Sequence, residues 1–131
     1  MAKIPEDFQD ILDKKTLVHL ATTGKDGSPQ VSPVWVDREG DTIIINSAKG
    51  RVKDRNMRSH ARVALSATDP DNPYRALMIQ GRVVKITEDG ADAHIDKMAK
   101  KYLGQDKYPF RSPAEVRVKY YIEPLKVATM G

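Results

Sequence analysis

The segment GRVKDRNMR, residues 50–58, has the residue types of an anion-binding site. Against one carboxylate, Asp54, it sets four cations: Arg51, Lys53, Arg55 and Arg58. Arginine can hold phosphate oxygens with two parallel hydrogen bonds, and a helix N-terminus adds unpaired N–H groups and partial positive charge. The order of an apolar run, a glycine and this basic segment therefore predicts a phosphate site at a helix start. A solvated basic helix face is the alternative that charge alone leaves open.

Residues for nucleophilic or metal chemistry are few and scattered. The chain has no cysteine, which excludes disulfides, thiolate ligands and thiol nucleophiles. His19, His60 and His94 fall in unrelated elements, so no metal site is predicted. Ser32 lacks a glycine elbow and a nearby base, which favours hydrogen bonding to a ligand over nucleophilic attack. No catalytic constellation of serine, histidine and carboxylate is evident.

Length and composition indicate one soluble domain over residues 1–131, with 40% hydrophobic and 31% charged residues. No apolar run approaches the ~20 residues that cross a bilayer, and the first residues lack the apolar stretch of a signal peptide, so a cytoplasmic protein is expected. The net charge of +4 is a mild bias. The basic segment has no interleaved aromatic residues for base stacking, so nucleic acid is not an expected partner.

Short strands dominate the first half of the chain after an amphipathic helix at residues 5–15, with Pro5 in the first helical position. Glycine-bearing turns join three strands that are predicted to pair as a meander: TLVHLATT (16–23), QVSPVWVD (30–37) and DTIIINSA (41–48). The basic segment follows as a helix with a predicted inner face of Val52, Asn56 and Met57.

The second half predicts two further strands, at 61–68 and 75–86, around the turn cluster DPDNP. A helix capped by Asp89 and closed by Gly104 comes next, with an apolar stripe of Ala91, Ile95, Met98 and Tyr102.

Alternation from Val116 to Ile122 predicts a half-buried last strand with Tyr120 on its apolar side, ending at Pro124. About six strands joined mostly by tight turns favour an antiparallel barrel with helices at its ends over a parallel sheet.

Residues 21–65 resemble the pyridoxamine 5′-phosphate oxidase-like split-barrel family. The resemblance rests on a T-x-x-x-D-G-x-P-x-x-x-P-V-W hairpin, a strand with three isoleucines, and the motifs G-R-x-K-x-x-N-M-R and A-R-V-A-L. With the later G-R-V strand, helix and terminal strand it extends over nearly the whole chain, and the most similar branch uses the deazaflavin coenzyme F-420. It implies a mostly β, antiparallel split β-barrel that forms a homodimer, with two cofactor sites between the subunits.

The resemblance implies three groups of cofactor contacts. The phosphate is expected on Arg51 and Lys53, with Asn56 bracing their loop. The ring system is expected along the second and third strands, at Gln30, Val31, Ser32, Pro33, Val34, Asn46, Ser47 and Ala48. The partner subunit is expected to contribute Tyr74, Arg75, Met78 and Gln80. Tyr74 is also the candidate proton donor, whereas Trp35 is expected in the core or the dimer interface.

The implied activity is hydride transfer from reduced coenzyme F-420 to an electron-poor small molecule such as a quinone, an enone, a conjugated lactone or a tetrapyrrole. An FMN-dependent oxidoreductase of the same fold is one alternative, because both coenzymes carry a phosphate and a tricyclic ring. A non-catalytic flavin-binding or haem-binding protein is another. Lys49, Arg55 and Arg58 are available to bind the polyglutamate tail of F-420.

Overall fold

A curled antiparallel sheet with helices at its margins forms the protein, and the computed structural model describes all residues, 1–131. In chain order the elements are a 3-10 turn (Glu6–Phe8), α1 (Gln9–Asp13), β1 (Val18–Thr23), β2 (Pro29–Val34), β3 (Asp37–Glu39), β4 (Thr42–Ala48), α2 (Val52–Ser59), β5 (Arg62–Thr68), β6 (Ala76–Thr87), α3 (Ala91–Leu103) and β7 (Arg117–Met130). The predicted mostly β, antiparallel architecture is confirmed. None of the helices is long and apolar enough to cross a membrane.

The strand order is β2-β1-β5-β6-β7-β4-β3, so the predicted meander of the first three strands is wrong. β1 lies between β2 and β5, while β4 pairs with β7. The predicted turn before β4 contains the short strand β3, which gives seven strands rather than about six. Period-two alternation identifies which residues share a face, but the partner of each strand is decided by long-range packing.

β7 continues through Pro124 instead of ending there. Pro124 pairs with Gly81, and the register then shifts at Leu125, which is the extra residue of a β-bulge. Proline is tolerated at a bulge because the ladder is already interrupted there. Gly81 makes room for this irregularity, since a Cβ at that position would lie 2.6 Å from Ile122 Cγ2.

The largest hydrophobic core contains 20 buried apolar side chains, drawn from the inner face of the sheet and from the N-terminal segment. Ile11 and Leu12 of α1 and Met57 of α2 cover this face. Val52, a predicted inner residue of α2, is 47% exposed, and the buried residue of that turn is Asp54. α2 therefore turns a carboxylate, rather than its first apolar side chain, toward the sheet.

The ends of α3 are set by two glycines with positive φ. The N-cap is Gly90, with φ +70°, and not the predicted Asp89; Gly104, with the same φ, ends the helix as predicted. Ala91, Ile95 and Met98 are buried as predicted. The fourth member of the predicted stripe, Tyr102, is only half-buried and donates its hydroxyl to the carbonyl of Thr16 at 2.6 Å. The same hydroxyl accepts a hydrogen bond from Val36 N at 3.0 Å, so Tyr102 holds the end of α3 against the segment before β1 and the one between β2 and β3.

Candidate functional site

The loop between β4 and α2 is fixed from below by Asp54. Gly50 turns the chain after β4 with φ +92°. The Asp54 carboxylate, whose side chain is 2% exposed, accepts hydrogen bonds from Gly50 N (2.9 Å), Arg58 Nε (3.0 Å) and the hydroxyl of buried Tyr120. Burial opposes ionisation, but these donors outweigh it and lower the pKa of Asp54, while burial and the adjacent carboxylate raise the pKa of Tyr120. These hydrogen bonds therefore fix the start of the anion-binding segment.

Arg51 and Lys53 line a cavity of about 200 Å³. Its polar lining consists of Asn46, Ser47, Arg51, Lys53 and Arg117. Its apolar and aromatic lining consists of Leu17, Pro33, Val34, Trp35, Ile95, Tyr108 and Phe110. A cavity with a cationic part and an aromatic part suits a ligand that joins an anion to a planar, largely apolar group.

The charges at this cavity are unbalanced. The carboxylate of Glu115 forms an ion pair with Arg51 at 3.2 Å. It also pairs with Arg117, whose side chain is 5% exposed. Lys53 has no carboxylate partner, and burial together with the neighbouring Arg51 and Arg117 lowers its pKa. A half-buried ammonium ion beside two guanidinium groups is unfavourable until an anion offsets them. The cavity is therefore electrostatically prepared for an anion.

One residue of the cavity lining, Ser47, has a buried hydroxyl without a partner. Ser47 is 1% exposed, and its Oγ makes no hydrogen bond within the protein. Leaving such a group unpaired costs about 1–3 kcal/mol, and because this oxygen has almost no accessible surface, a ligand could bond to it only after a local rearrangement. The cations and the aromatic side chains of the lining, rather than this hydroxyl, fit a phosphorylated flavin-type cofactor.

Six of the predicted cofactor contacts meet in this cavity: Pro33, Val34, Asn46, Ser47, Arg51 and Lys53. Asn56 is buried beneath them and donates from Nδ2 to Thr22 Oγ1 at 3.1 Å, and Thr22 Oγ1 in turn donates to Gln30 Oε1 at 3.2 Å. Asn56 therefore ties α2 to β1 and, through Thr22, to β2. Ala48 is buried in β4, and Ser32 in β2 has an unpartnered hydroxyl.

The predicted partner contributions lie outside this cavity. Met78 and Gln80, together with Val31 of β2, line a second, mainly apolar cavity of about 350 Å³ beside β1, β5 and β6. Tyr74 is 80% exposed in the turn before β6. A single chain therefore does not bring these residues to Arg51 and Lys53, and their predicted role requires a second copy.

Arg75 is bound within its own chain. Its guanidinium pairs with Asp10 at 2.7 Å and with Asp69 at 2.9 Å, and it lies over the Phe8 ring. The two carboxylates raise the pKa of Arg75. These contacts hold the N-terminal segment against the turn before β6, so Arg75 has a structural role whether or not it also contacts a cofactor.

Sequence reasoning missed part of the aromatic lining. Trp35 stacks on Tyr102 with ring centroids 5.0 Å apart and meets Tyr108 edge to face at 6.1 Å. Phe110 packs against Tyr108 at 5.6 Å and is 65% exposed. Tyr108 and Phe110 come from the irregular segment between α3 and β7, where no periodicity marks them. The tripeptide Y-P-F in a polar loop is the only signal that could have drawn attention to them.

The fold and the cavity define a class: a split-barrel-type antiparallel sheet with a cavity that combines cations of the loop after β4 with aromatic side chains. The chain matches the pyridoxamine 5′-phosphate oxidase family over residues 4–130 and belongs to that family. No curated protein matches the sequence. The split β-barrel predicted from the resemblance is confirmed.

Solved structures share this fold over nearly the whole chain. A structure described as an F-420 reductase is 33% identical, with 95% of this chain and 98% of that chain covered and a TM-score of 0.84. A candidate pyridoxamine 5′-phosphate oxidase from Listeria innocua is 20% identical, with 95% of each chain covered and a TM-score of 0.73. HupZ of group A Streptococcus is 19% identical, with 96% and 93% covered and a TM-score of 0.67, and these two show the fold alone. The first similarity supports the predicted F-420 branch of the family.

Proposed function

We propose that the protein is an oxidoreductase that binds reduced coenzyme F-420 and delivers hydride to an electron-poor small molecule. The observation that carries the proposal is Lys53, a half-buried ammonium ion without a carboxylate, beside Arg51 and Arg117 and opposite an aromatic wall. The 33% identity to a structure described as an F-420 reductase favours the deazaflavin over other flavin-type cofactors.

Different residues of the cavity are proposed to bind different parts of the coenzyme. Arg51 and Lys53 hold the phosphate, and Asn46, Pro33 and Val34 line the cavity beside them. Trp35 and Tyr108 wall the cavity and limit the access of water. When bound, the deazaflavin supplies the hydride chemistry, so no protein nucleophile is required. The acceptor is proposed to be a quinone, an enone, a conjugated lactone or a tetrapyrrole, each of which suits an apolar, aromatic wall.

FMN is the second candidate cofactor, and a specific observation favours it. Three cations and one carboxylate leave a surplus of two positive charges at the cavity: Arg51, Lys53 and Arg117 against Glu115. A phosphate monoester carries about −1.5 to −2 charges near pH 7. The monoester of FMN would match this surplus more fully than the phosphodiester of F-420.

Parallel titration of the coenzyme-free protein with F-420 and FMN, followed by fluorescence, tests the proposal. We expect F-420 to bind more tightly, and the reduced complex to be reoxidised by menadione faster than the free reduced coenzyme. Tighter binding of FMN with turnover would select the FMN-dependent oxidoreductase. Binding without accelerated reoxidation would select a non-catalytic flavin-binding protein, and binding of neither coenzyme would reject the flavin assignment.

A homodimer is the proposed assembly, because the family resemblance gives each site residues from two chains. Met78 lines the apolar cavity beside β6, which is available for such a contact. Met78→Glu should place a charge in this surface, and we expect the variant to lose both dimerisation and coenzyme binding in light-scattering and fluorescence measurements. Val84→Glu is the matched control, because Val84 is 52% exposed on the same strand and does not line that cavity. A monomeric wild type that binds coenzyme would contradict the shared site.

A further inference from the structure

A continuous chain of side-chain hydrogen bonds leads from the margin of the sheet to the cation-lined cavity. Arg117 Nε donates to Asn46 Oδ1 at 2.9 Å, Asn46 Nδ2 lies 3.0 Å from His94 Nδ1, and His94 Nε2 lies 3.0 Å from Asp37 Oδ2. Asn46 Nδ2 also donates to the carbonyl of Ala91 at 2.9 Å. The side chains of Arg117, His94 and Asp37 are 5%, 9% and 13% exposed, so the chain is shielded from water.

The chemistry of the partners gives the Asn46 amide one orientation. Arg117 Nε can only donate, and the carbonyl of Ala91 can only accept. The amide oxygen must therefore face Arg117, and the amide nitrogen must face Ala91 and His94. Because that nitrogen only donates, His94 Nδ1 must be the unprotonated, accepting atom of the ring.

The other end of the chain fixes the second ring nitrogen. Burial raises the pKa of Asp37, but hydrogen bonds from His94, Lys97 and the Arg38 backbone N–H outweigh it and lower the value to about 2. Asp37 is thus a carboxylate that only accepts, and His94 Nε2 must carry the proton that it donates. His94 is therefore a neutral imidazole with its proton on Nε2, and every bond of the chain points from Arg117 toward Asp37.

We propose that His94 is a positioning residue of the anion site: together with the carbonyl of Ala91 it holds the Asn46 amide in the orientation that gives Arg117 Nε an acceptor, and it thereby helps to fix Arg117 as the third cation of the cavity. This inference rests on the proposed function in so far as the anion is the coenzyme phosphate. Without the His94 acceptor the amide loses one of its anchors. A turned amide would set its nitrogen against Arg117 Nε, where two donors face each other, and would leave Glu115 as the remaining anchor of Arg117.

The chain offers a matched control for this role. Lys97 pairs with the same carboxylate, Asp37, at 3.0 Å, but its side chain is 63% exposed and it does not touch Asn46. Lys97→Ala therefore removes a donor from Asp37 and leaves the path to Arg117 intact. His94→Phe keeps an aromatic ring and removes both polar atoms. A purely structural role of the Asp37 cluster would affect the two variants alike.

The first test measures the affinity of both variants for FMN and for inorganic phosphate. We expect His94→Phe to weaken both by roughly tenfold, as one charge-assisted contact is lost, and Lys97→Ala to change neither. His94→Gln retains a donor and an acceptor in its side chain and should recover part of the affinity. Equal affinities of wild type, His94→Phe and Lys97→Ala would overturn the proposal.

The second test does not depend on any ligand. In the coenzyme-free protein, ¹⁵N NMR of the imidazole should give a protonated Nε2 and an unprotonated Nδ1 for His94. In Asn46→Asp, an acceptor replaces the amide nitrogen, and we expect Nδ1 to become protonated as well. A proton on Nδ1 in the wild type, or an unchanged ring in Asn46→Asp, would overturn the positioning role. If the wild type binds neither F-420 nor FMN, the proposed function fails while this measurement still decides the role of His94.

Discussion

Replacing Arg51 and Lys53 together by alanine should weaken FMN binding by about 10²–10⁴-fold, the largest loss of affinity that we expect from any pair of substitutions in the cavity. Each removed charge-assisted contact is worth about 1.5–3 kcal/mol, and every 1.4 kcal/mol is about tenfold in the dissociation constant. The loss of Lys53 should not lower the free energy of unfolding of the coenzyme-free variant, since the Lys53 ammonium is desolvated without a carboxylate partner. Fluorescence titration and urea unfolding measure the two effects separately.

Arg55→Ala is the control for this experiment. Arg55 lies in the same basic segment, but its guanidinium donates to the carbonyl of Gly50 and borders a separate basic groove with Lys25 and Arg58. FMN has no polyglutamate tail, so its affinity should be unchanged in Arg55→Ala. An equal loss in the control would indicate general attraction by the basic segment. Full FMN affinity in the double variant would contradict the phosphate assignment of Arg51 and Lys53.

The basic half of the site could be predicted from the sequence because its residues are contiguous. Arg51 and Lys53 stand two positions apart after a strand and a glycine, and the helix start that they occupy forms locally. Arg117 could not be found in this way. It falls on the polar side of a half-buried strand, which favours exposure, and only tertiary contacts with Glu115 and Asn46 bury it.

The resemblance predicted which residues line the cavity better than it predicted which of their polar atoms are free to bond a ligand. Asn46 was predicted to contact the cofactor ring and does line the cavity, yet its amide is occupied by Ala91, His94 and Arg117. Ser47, its neighbour in β4, has the unpaired atom instead. A residue's position in the motif predicts where it lies in the fold. Whether its polar atoms are already hydrogen-bonded depends on α3 and β7, which the motif does not include.

The same limit holds for the fold. Alternation marked the strands, but the pairing of β4 with β7 joins residues 69 to 79 positions apart in the chain. Pro124 carries a strong local signal for a strand end, and the bulge opposite Gly81 overrides it. Strand pairing and the end of β7 thus depend on long-range packing, which local propensity does not predict.

Asp54→Ala should lower the free energy of unfolding by about 2–6 kcal/mol, because two donors lose their acceptor at about 1–3 kcal/mol each. The substitution leaves the hydroxyl of Tyr120 and the backbone N–H of Gly50 without their acceptor. It also frees the turn that begins the anion-binding segment, so the affinity for coenzyme should fall although Asp54 itself does not line the cavity. Urea unfolding and FMN titration of the same variant measure both effects.

Tyr120→Phe distinguishes the contribution of the Tyr120 hydroxyl to stability from that of the Asp54 carboxylate. It removes one donor but leaves Gly50 and Arg58 on Asp54, so we expect a loss of only about 1–3 kcal/mol. A double-mutant cycle of Asp54→Ala with Tyr120→Phe should give a combined loss smaller than the sum, because both substitutions break the same bond. Strict additivity would mean that the two groups do not interact.

The pH dependence of the Asp54 effect has a defined sign. Folding lowers the pKa of Asp54 below its ordinary value of 3.8. The stability that the carboxylate contributes is therefore fully present above that value and is lost as the pH falls through the lower pKa of the folded state. The difference in unfolding free energy between wild type and Asp54→Ala should consequently shrink on acidification. A difference that stays constant, or grows, in acid would mean that the buried carboxylate is not the ionised anchor of the Gly50 turn.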